Sequence, residues 1–300
     1  MIRRLAVLGV GLIGGSVALA LKRAGHVEQV VGYGRNRSNL EQALALGVLD
    51  EIADTPEQAV AGADCILLAM PVGGMTEVMH RIAPHLAADA IVTDAGSTKQ
   101  DVIAAARLAL GPKISRFVPG HPIAGAEKSG AAAALADLYD GRNVILTPLP
   151  ENRPETVAAV ASLWQACGAQ ILDMSAAEHD RVFAAVSHLP HLAAFALVDE
   201  LAGRPEAELY FRHAGSGFRD FTRIAGSSPE MWRDIALANR EALVGELDAY
   251  IARLSQLRDA LSGGDGARLF DSFVRASQAR REWAPAGTNH LENEDAQTAP

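Results

Sequence analysis

Nine histidines are spread along this 300-residue sequence, and histidine is the side chain best suited to take up a proton near neutral pH. His121 lies in Pro119-Gly120-His121-Pro122-Ile123-Ala124-Gly125, a loop dense in Gly and Pro that follows a predicted strand. Open α/β sheets build their sites at the carboxyl ends of strands. His188 and His191 flank Leu189-Pro190 at the predicted start of a helix. Their H-x-x-H spacing is compatible with a metal ion. The proline between them and the lack of neighbouring Cys or carboxylate ligands read against one. Residues 215–223 carry Arg219 and Arg223 in a glycine-loosened polar stretch. The two guanidinium groups are either a clamp for a carboxylate or partners of Asp220 in a salt-bridged turn. The residues alone leave both readings open.

Gly9-Val10-Gly11-Leu12-Ile13-Gly14 is a G-x-G-x-x-G string between a predicted strand and a predicted helix. In that context the glycines permit a tight turn and let backbone N–H groups approach a pyrophosphate at the helix N-terminus. The string, with Leu12 and Ile13 inside it, is expected to bind a dinucleotide. Met70 and Pro71, at the end of another buried strand, are placed at the same site. About twenty residues after Gly14, an NAD site usually carries Asp or Glu for the ribose 2′-hydroxyl. This sequence instead reads Gly34-Arg35-Asn36-Arg37-Ser38. A guanidinium at Arg35 and a hydroxyl at Ser38 suit a 2′-phosphate, so NADP is the preferred cofactor. NAD remains open if Arg35 only stacks on adenine. Ser97, in the polar turn Asp94-Ala95-Gly96-Ser97, is placed to orient a histidine or touch nicotinamide, or else simply caps a helix.

The elements that must position these residues alternate strand and helix in the first half, the pattern of a parallel α/β sheet. Strands are expected at residues 5–8, 29–33, 65–69, 90–93, 117–118 and 143–147, with helices at 14–24 and 40–46. After Pro148, Pro150 and Pro154, a helix at 156–167 and a short strand at 169–173 connect to a region that is almost only helical. Ser228-Pro229-Glu230 is a helix start with Ser as cap and Pro at the first helical position. From Met231 to Leu261 an apolar stripe predicts one helix of about 30 residues, needing partners along its length, and a dimer interface supplies them. The expected organisation is a Rossmann-type dinucleotide-binding domain at 1–150, a connecting helix and strand at 151–174, an all-helical substrate and dimerisation domain at 175–283, and a disordered tail at 284–300.

Composition narrows the function. The 36 acidic and 27 basic side chains leave a net charge of −9, which gains nothing from a polyphosphate partner, and nucleic acid is excluded. Aromatic residues make up 5%, so the core is built from Ala, Leu, Val and Ile. Cys65 and Cys167 sit in apolar surroundings and read as reduced structural thiols of a cytoplasmic protein. Arg3-Arg4 followed by an apolar run superficially resembles a signal peptide. Gly9, Gly11, Gly14 and Gly15 inside that run fit a strand–turn–helix better, and no membrane partner is expected.

Together the strings GVGLIGGS (9–16), DAGSTK (94–99), GHPIAGAEKSG (120–130), SHLPH (187–191) and GFRDFTRIAGSSPEMWRD (217–234) resemble the prephenate/arogenate (cyclohexadienyl) dehydrogenase family of tyrosine biosynthesis. They run in family order across both expected domains. The resemblance implies a dimeric enzyme that oxidatively decarboxylates a cyclohexadienol. It implies that His121 accepts the hydroxyl proton, Ser97 orients it toward hydroxyl and nicotinamide, and His191 positions substrate. It places Arg223 on a substrate carboxylate and Glu127 near the mouth of the site, with Ser187, His188, Arg219 and Asp220 in support. The family's usual Asp after the second strand is replaced by Gly34-Arg35. No regulatory ligand-binding domain follows, so feedback by tyrosine is expected at the active site.

Two rivals are weaker. β-Hydroxyacid-type dehydrogenases need a lysine in the helical domain, and no lysine follows Lys128; short-chain reductases need Tyr-x-x-x-Lys, and no tyrosine has Lys four residues on. A non-catalytic NADP-sensing regulatory protein has no need of His121, His191 and Arg223 together.

Overall fold

The computed structural model describes residues 1–125 and 129–283. Glu127 and the tail expected to be disordered lie outside the described residues. Two compact units divide the chain, Met1–Val244 and one that begins at Gly245.

In the first unit the strands β1 (Ile2–Leu8), β2 (Val27–Tyr33), β3 (Glu51–Ile52), β4 (Cys65–Leu68), β5 (Ile91–Asp94) and β6 (Phe117–Val118) form one sheet in the order β3-β2-β1-β4-β5-β6. Every pairing in it is parallel. Both faces are buried, as parallel sheets require, and the period-two alternation divides the core. Leu5, Val7, Cys65 and Leu67 pack on one side with Val17 and Leu21 of α1 (Leu12–Arg23). Ala6, Leu8, Ile66 and Leu68 face the other way. There they meet α4 (Met75–Ile82) and α5 (Gln100–Leu110) through Met79, Ile82, Val102 and Ala106. Helices α2 (Arg37–Ala45) and α3 (Pro56–Val60) complete this half. The order reverses between β1 and β4, the switch point at which such sheets open a crevice.

Three expectations need correction here. Part of the loop at 119–125 is a strand, β7 (Gly120–Pro122), because its Gly and Pro positions still allow backbone pairing with β8 (Asn143–Leu146). The strand at 143–147 therefore belongs to a second, three-stranded sheet, β7-β8-β9, not to the main one. β9 (Gln170–Asp173) pairs with β8 in this small sheet, after α6 (Pro154–Ala166). Third, the single long helix is two, α11 (Pro229–Ala238) and α12 (Arg240–Ser262). The break is Asn239, which leaves helical geometry at φ −107° and ψ 29° and turns its amide inward.

The rest of the first unit is helical: α7 (Ala176–Phe183), α8 (Leu189–Ala202), α9 (Ala207–Arg212) and α10 (Ser216–Thr222) precede α11. Ser228 caps α11 by accepting a hydrogen bond from the Met231 N–H. Between α7 and α8 the chain widens into a π-turn at Ala184–His188. Pro190, in the first turn of α8, has no N–H for the helical ladder, and a wider turn is how helices absorb such a gap. Helix α12 ends before Gly264, which takes φ +65°, and α13 (Gly266–Glu282) follows. Cys65 and Cys167 are free and buried; burial pushes both thiols up to about 12, so neither is a nucleophile at neutral pH.

Candidate active site

The carboxyl ends of β1, β2 and β4 enclose a cleft of about 690 Å³ lined by Gly9, Gly11, Arg35, Met70, Pro71 and Glu230, among others. The three glycines of the string play different parts. Gly9 takes φ +103°, and a Cβ there would lie 2.4 Å from the Ala69 carbonyl oxygen. At Gly14 a Cβ would meet the Gly9 carbonyl at 2.3 Å, so this position serves helix–strand packing. At Gly11 a Cβ would meet no protein atom within 4 Å. Gly11 is also the N-cap of α1, with no side-chain cap and no acidic residue in the first turn. A helix start left open in this way suits a pyrophosphate. The residues therefore fit a dinucleotide. Asn39 ties the loop down, donating to the Val10 carbonyl at 2.6 Å and accepting from the Ala131 N–H at 2.8 Å.

Other expected contacts lie elsewhere. Leu12 is buried in the first turn of α1, and the Ile13 carbonyl accepts from the Tyr139 hydroxyl at 2.7 Å. Ser38 is exposed and does not line the cleft. Arg35 does line it, but its guanidinium is paired with Glu230 of α11 at 3.2 Å.

The second cluster is built from side chains far apart in sequence. His121, on β7, is half-buried, and its Nδ1 lies 2.8 Å from His179 Nε2. His179 Nδ1 lies 2.8 Å from Asp180 Oδ1. Asp180 also accepts from the backbone N–H groups of Lys99 at 2.8 Å and Gln100 at 2.9 Å. Phe183 packs edge-on against His121 and beside His179, an apolar wall on the pair. Beneath them Lys99 Nζ is ion-paired with Asp94, both fully buried, and donates to the Gly120 carbonyl at 2.7 Å. Asp94 in turn accepts from the Gly120 and Gly96 N–H groups. The strand that carries His121 is thus fixed from below by a buried charge pair.

Burial, then the charges of His179 and Lys99, hold the His121 pKa well below its ordinary value. His121 is therefore neutral at pH 7. Burial pulls the Asp180 carboxyl upward, yet the His179 hydrogen bond and the two backbone N–H groups outweigh it and hold it below the usual carboxylate range. Burial likewise lowers His179 against the opposing pull of Asp180.

From Asp180 the contacts run on into the second histidine pair. Asn239 donates to the Asp180 carbonyl at 2.7 Å and lies 3.2 Å from His188 Nδ1. His188 is buried, and that burial pushes its pKa down to about 4. Trp232 stands edge-on to His188 and stacks on His191 at 3.6 Å between ring centroids. His191 Nδ1 donates to the Ser187 carbonyl at 2.9 Å, so Ser187 contributes its main chain. Burial first, and the nearby Arg223 charge, lower the His191 pKa. The structure thus brings His121, His188 and His191 into one continuous set of contacts, with the charge of Arg223 near enough to lower the His191 pKa. Ser97 is half-buried beside His188 and is not the cap of α5, a position Lys99 takes. Arg219 is exposed on α10.

Sequence reasoning missed Asp94, Lys99, His179, Asp180, Trp232 and Asn239. Asp94, Lys99 and Trp232 lie inside quoted strings that were read only for their neighbours. Among the described residues no group of three or more His, Cys, Asp or Glu side chains is arranged to hold a metal ion. One helical run there, Ala176–Ala202, is long and apolar enough to cross a membrane by length and composition. That run carries His179, Asp180, His188 and His191.

A switch-point cleft floored by glycines, beside a buried histidine cluster in a helical region, defines a Rossmann-type dehydrogenase. Comparison with known proteins gives the family. The prephenate dehydrogenase nucleotide-binding domain matches residues 17–173, and the prephenate dehydrogenase dimerization domain matches residues 175–275. The chain belongs to the prephenate dehydrogenase family. It is 38% identical over 280 residues to the cyclohexadienyl dehydrogenase of Zymomonas mobilis, covering 93% of this chain and 95% of that protein. Prephenate dehydrogenase from A. aeolicus, solved with hydroxyphenyl propionate and NAD+, superposes with a TM-score of 0.86 at 37% identity, covering 94% of this chain and 98% of that one. Synechocystis arogenate dehydrogenase gives a TM-score of 0.75 at 31% identity, covering 94% of this chain and all of that one.

Proposed function

We propose that this chain oxidatively decarboxylates prephenate, arogenate or both on the route to tyrosine, with His121 as the base. The observation that carries the assignment of the base is the state of His121. It is neutral, with Nδ1 engaged by His179, which leaves Nε2 to receive a proton. Bound in the cleft at Gly9 and Gly11, the nicotinamide cofactor would supply the hydride acceptor. Around the ring, His121 takes the 4-hydroxyl proton, Ser97 orients His121 toward that hydroxyl and the nicotinamide, and His191 positions the substrate beside Trp232. Arg223 binds a substrate carboxylate, and Ser187, His188 and Arg219 support the site. Loss of the ring carboxylate as CO₂ aromatises the ring and draws the reaction forward.

The finer choices rest on single residues. The end of β2 offers no carboxylate to a ribose 2′-hydroxyl, and Arg35 favours NADP with NAD also accepted; Glu230 works against the phosphate by occupying that guanidinium. A carboxylate at Glu127 favours the arogenate ammonium. The working division is a dinucleotide-binding domain at 1–150, a connecting helix and strand at 151–174, and a helical domain at 175–283. We place the enzyme in the cytoplasm as a homodimer joined through its C-terminal helices. In the first unit Val186, Leu209, Phe211 and Phe221 stand exposed, and in the second Ile251, Leu254, Leu261, Phe270 and Phe273. Apolar area on that scale calls for a partner.

Replacing His121 by Asn tests the role. The expected result is a kcat lower by roughly 10²–10⁴ with KM changed less than about threefold; near-normal kcat would remove His121 from the chemistry.

A further inference from the structure

Behind His121 stand two groups, His179 and Asp180, with no part yet in the reaction. The Asp180 carboxylate is met by four donors: the Lys99 and Gln100 N–H groups, the Gln100 side-chain amide at 3.2 Å, and His179 Nδ1. An ionised carboxylate only accepts, so His179 must carry its proton on Nδ1. A neutral His179 then presents a lone pair at Nε2, and His121 Nδ1, 2.8 Å away, must be the donor between them. The remaining nitrogen of His121, Nε2, is left with its lone pair exposed.

We infer that Asp180 and His179 are positioning residues that set the tautomer of His121, so that Nε2 faces the substrate as a base. The inference rests on the proposed reaction only for its consequence, not for the tautomer itself. When the substrate O–H bond breaks, its proton joins Nε2 and its electron pair stays on oxygen to form the carbonyl as hydride leaves the ring carbon. His121 then carries protons on both nitrogens, and its Nδ1–H still points at the His179–Asp180 pair. One negative charge is thereby aligned through one neutral ring with the positive charge that develops, in a setting walled by Phe183.

The arrangement makes an unusual demand on a single substitution. In Asp180→Asn the new side-chain amide, turned toward His179, becomes a donor. His179 then shifts its proton to Nε2, and His121 shifts its own to Nε2, where it blocks the base. The opposite amide orientation would set the new donor against two donors of Gln100 rather than one of Lys99. The expected outcome is a kcat lower by about 10²–10⁴, with KM and dinucleotide binding within about threefold of the parent. A kcat within threefold of the parent overturns the inference, as does a loss shared equally by kcat, KM and dinucleotide binding.

Two substitutions of His179 separate tautomer control from packing. His179→Gln keeps an acceptor near the former Nε2 and is expected to recover at least about tenfold in kcat over His179→Leu; equal loss in both overturns the inference. Imidazole ¹⁵N NMR of the unsubstituted protein reads the tautomer directly, with His121→Asn and His179→Gln assigning the signals. A proton on His121 Nδ1 and none on Nε2 supports it, and the reverse contradicts it. Absence of turnover with prephenate and arogenate would overturn the proposed reaction and leave this spectrum as it is.

Discussion

The dinucleotide cleft and the histidine cluster share one unit but are made in different ways. The cleft is made of backbone: one turn between β1 and α1, an uncapped helix start and the end of β4, with glycines where a Cβ would collide or intrude. The histidine cluster is made of side chains from β5, β7, α7, α8 and α11, joined by contacts that span 58, 59 or 81 residues. A site of the first kind is written in one short string. One of the second kind exists only after the chain has folded, and it depends on a few buried polar contacts.

That difference gives each region its own way to break. The largest stability effect is expected beneath the histidines. Lys99→Met leaves the fully buried Asp94 carboxylate without its cation, at a cost of about 3–5 kcal/mol. A fall in Tm of only a degree or two would show that the pair is not what fixes β7. Acid comes next. An unfolded chain protonates His188 near pH 6.5, whereas the folded one keeps it neutral down to about 4. The unfolded state therefore binds the extra proton across that window, and folding stability falls as pH drops through it, by about 3 kcal/mol from His188 alone. Denaturant titrations at pH 7 and pH 4 measure this. His188→Gln should flatten the slope, and an unchanged slope would exonerate His188.

The cleft should fail differently at neighbouring glycines. Gly9→Ala faces both a positive φ and the Ala69 backbone, a loss of roughly 2 kcal/mol or more. Gly11→Ala meets no protein atom, so its Tm should stay put while dinucleotide affinity falls. Equal destabilisation by both would mean that Gly11 serves the fold rather than a ligand. The smallest effect is expected at the exposed Arg35–Glu230 pair, where ion pairs are worth about 0–1 kcal/mol. Arg35→Asp should shift preference toward NAD, and Glu230→Gln toward NADP by up to about fivefold. A Glu230→Gln enzyme with an unaltered ratio would dissociate that carboxylate from cofactor choice.

The same contrast explains what could be read in advance. The parallel sheet, the glycine turn and the helical second half follow from local periodicity and from residues that constrain the backbone. His179-Asp180 could not be read that way. Two adjacent polar residues on a short helix have the pattern of a solvated face, and only the fold turns them toward His121. Asn239 was hidden by the apolar stripe on either side of it, which continues through the break. Lys99 was in plain view inside DAGSTK, but a lysine at a helix start is usually a surface residue, and its burial over Asp94 depends on the return of β7. The strand at Gly120–Pro122 was masked by Gly and Pro, whose turn preference yields to pairing with β8.

The two regions are expected to act on one substrate. The most direct test is formation of reduced nicotinamide by the purified protein with prephenate and with arogenate, each offered with NAD and with NADP. Turnover in at least one of the four mixtures is the predicted result, and the fastest pair defines substrate and cofactor. No turnover in any mixture, by a protein shown to bind the dinucleotide, would mean that the histidine cluster serves a different substrate.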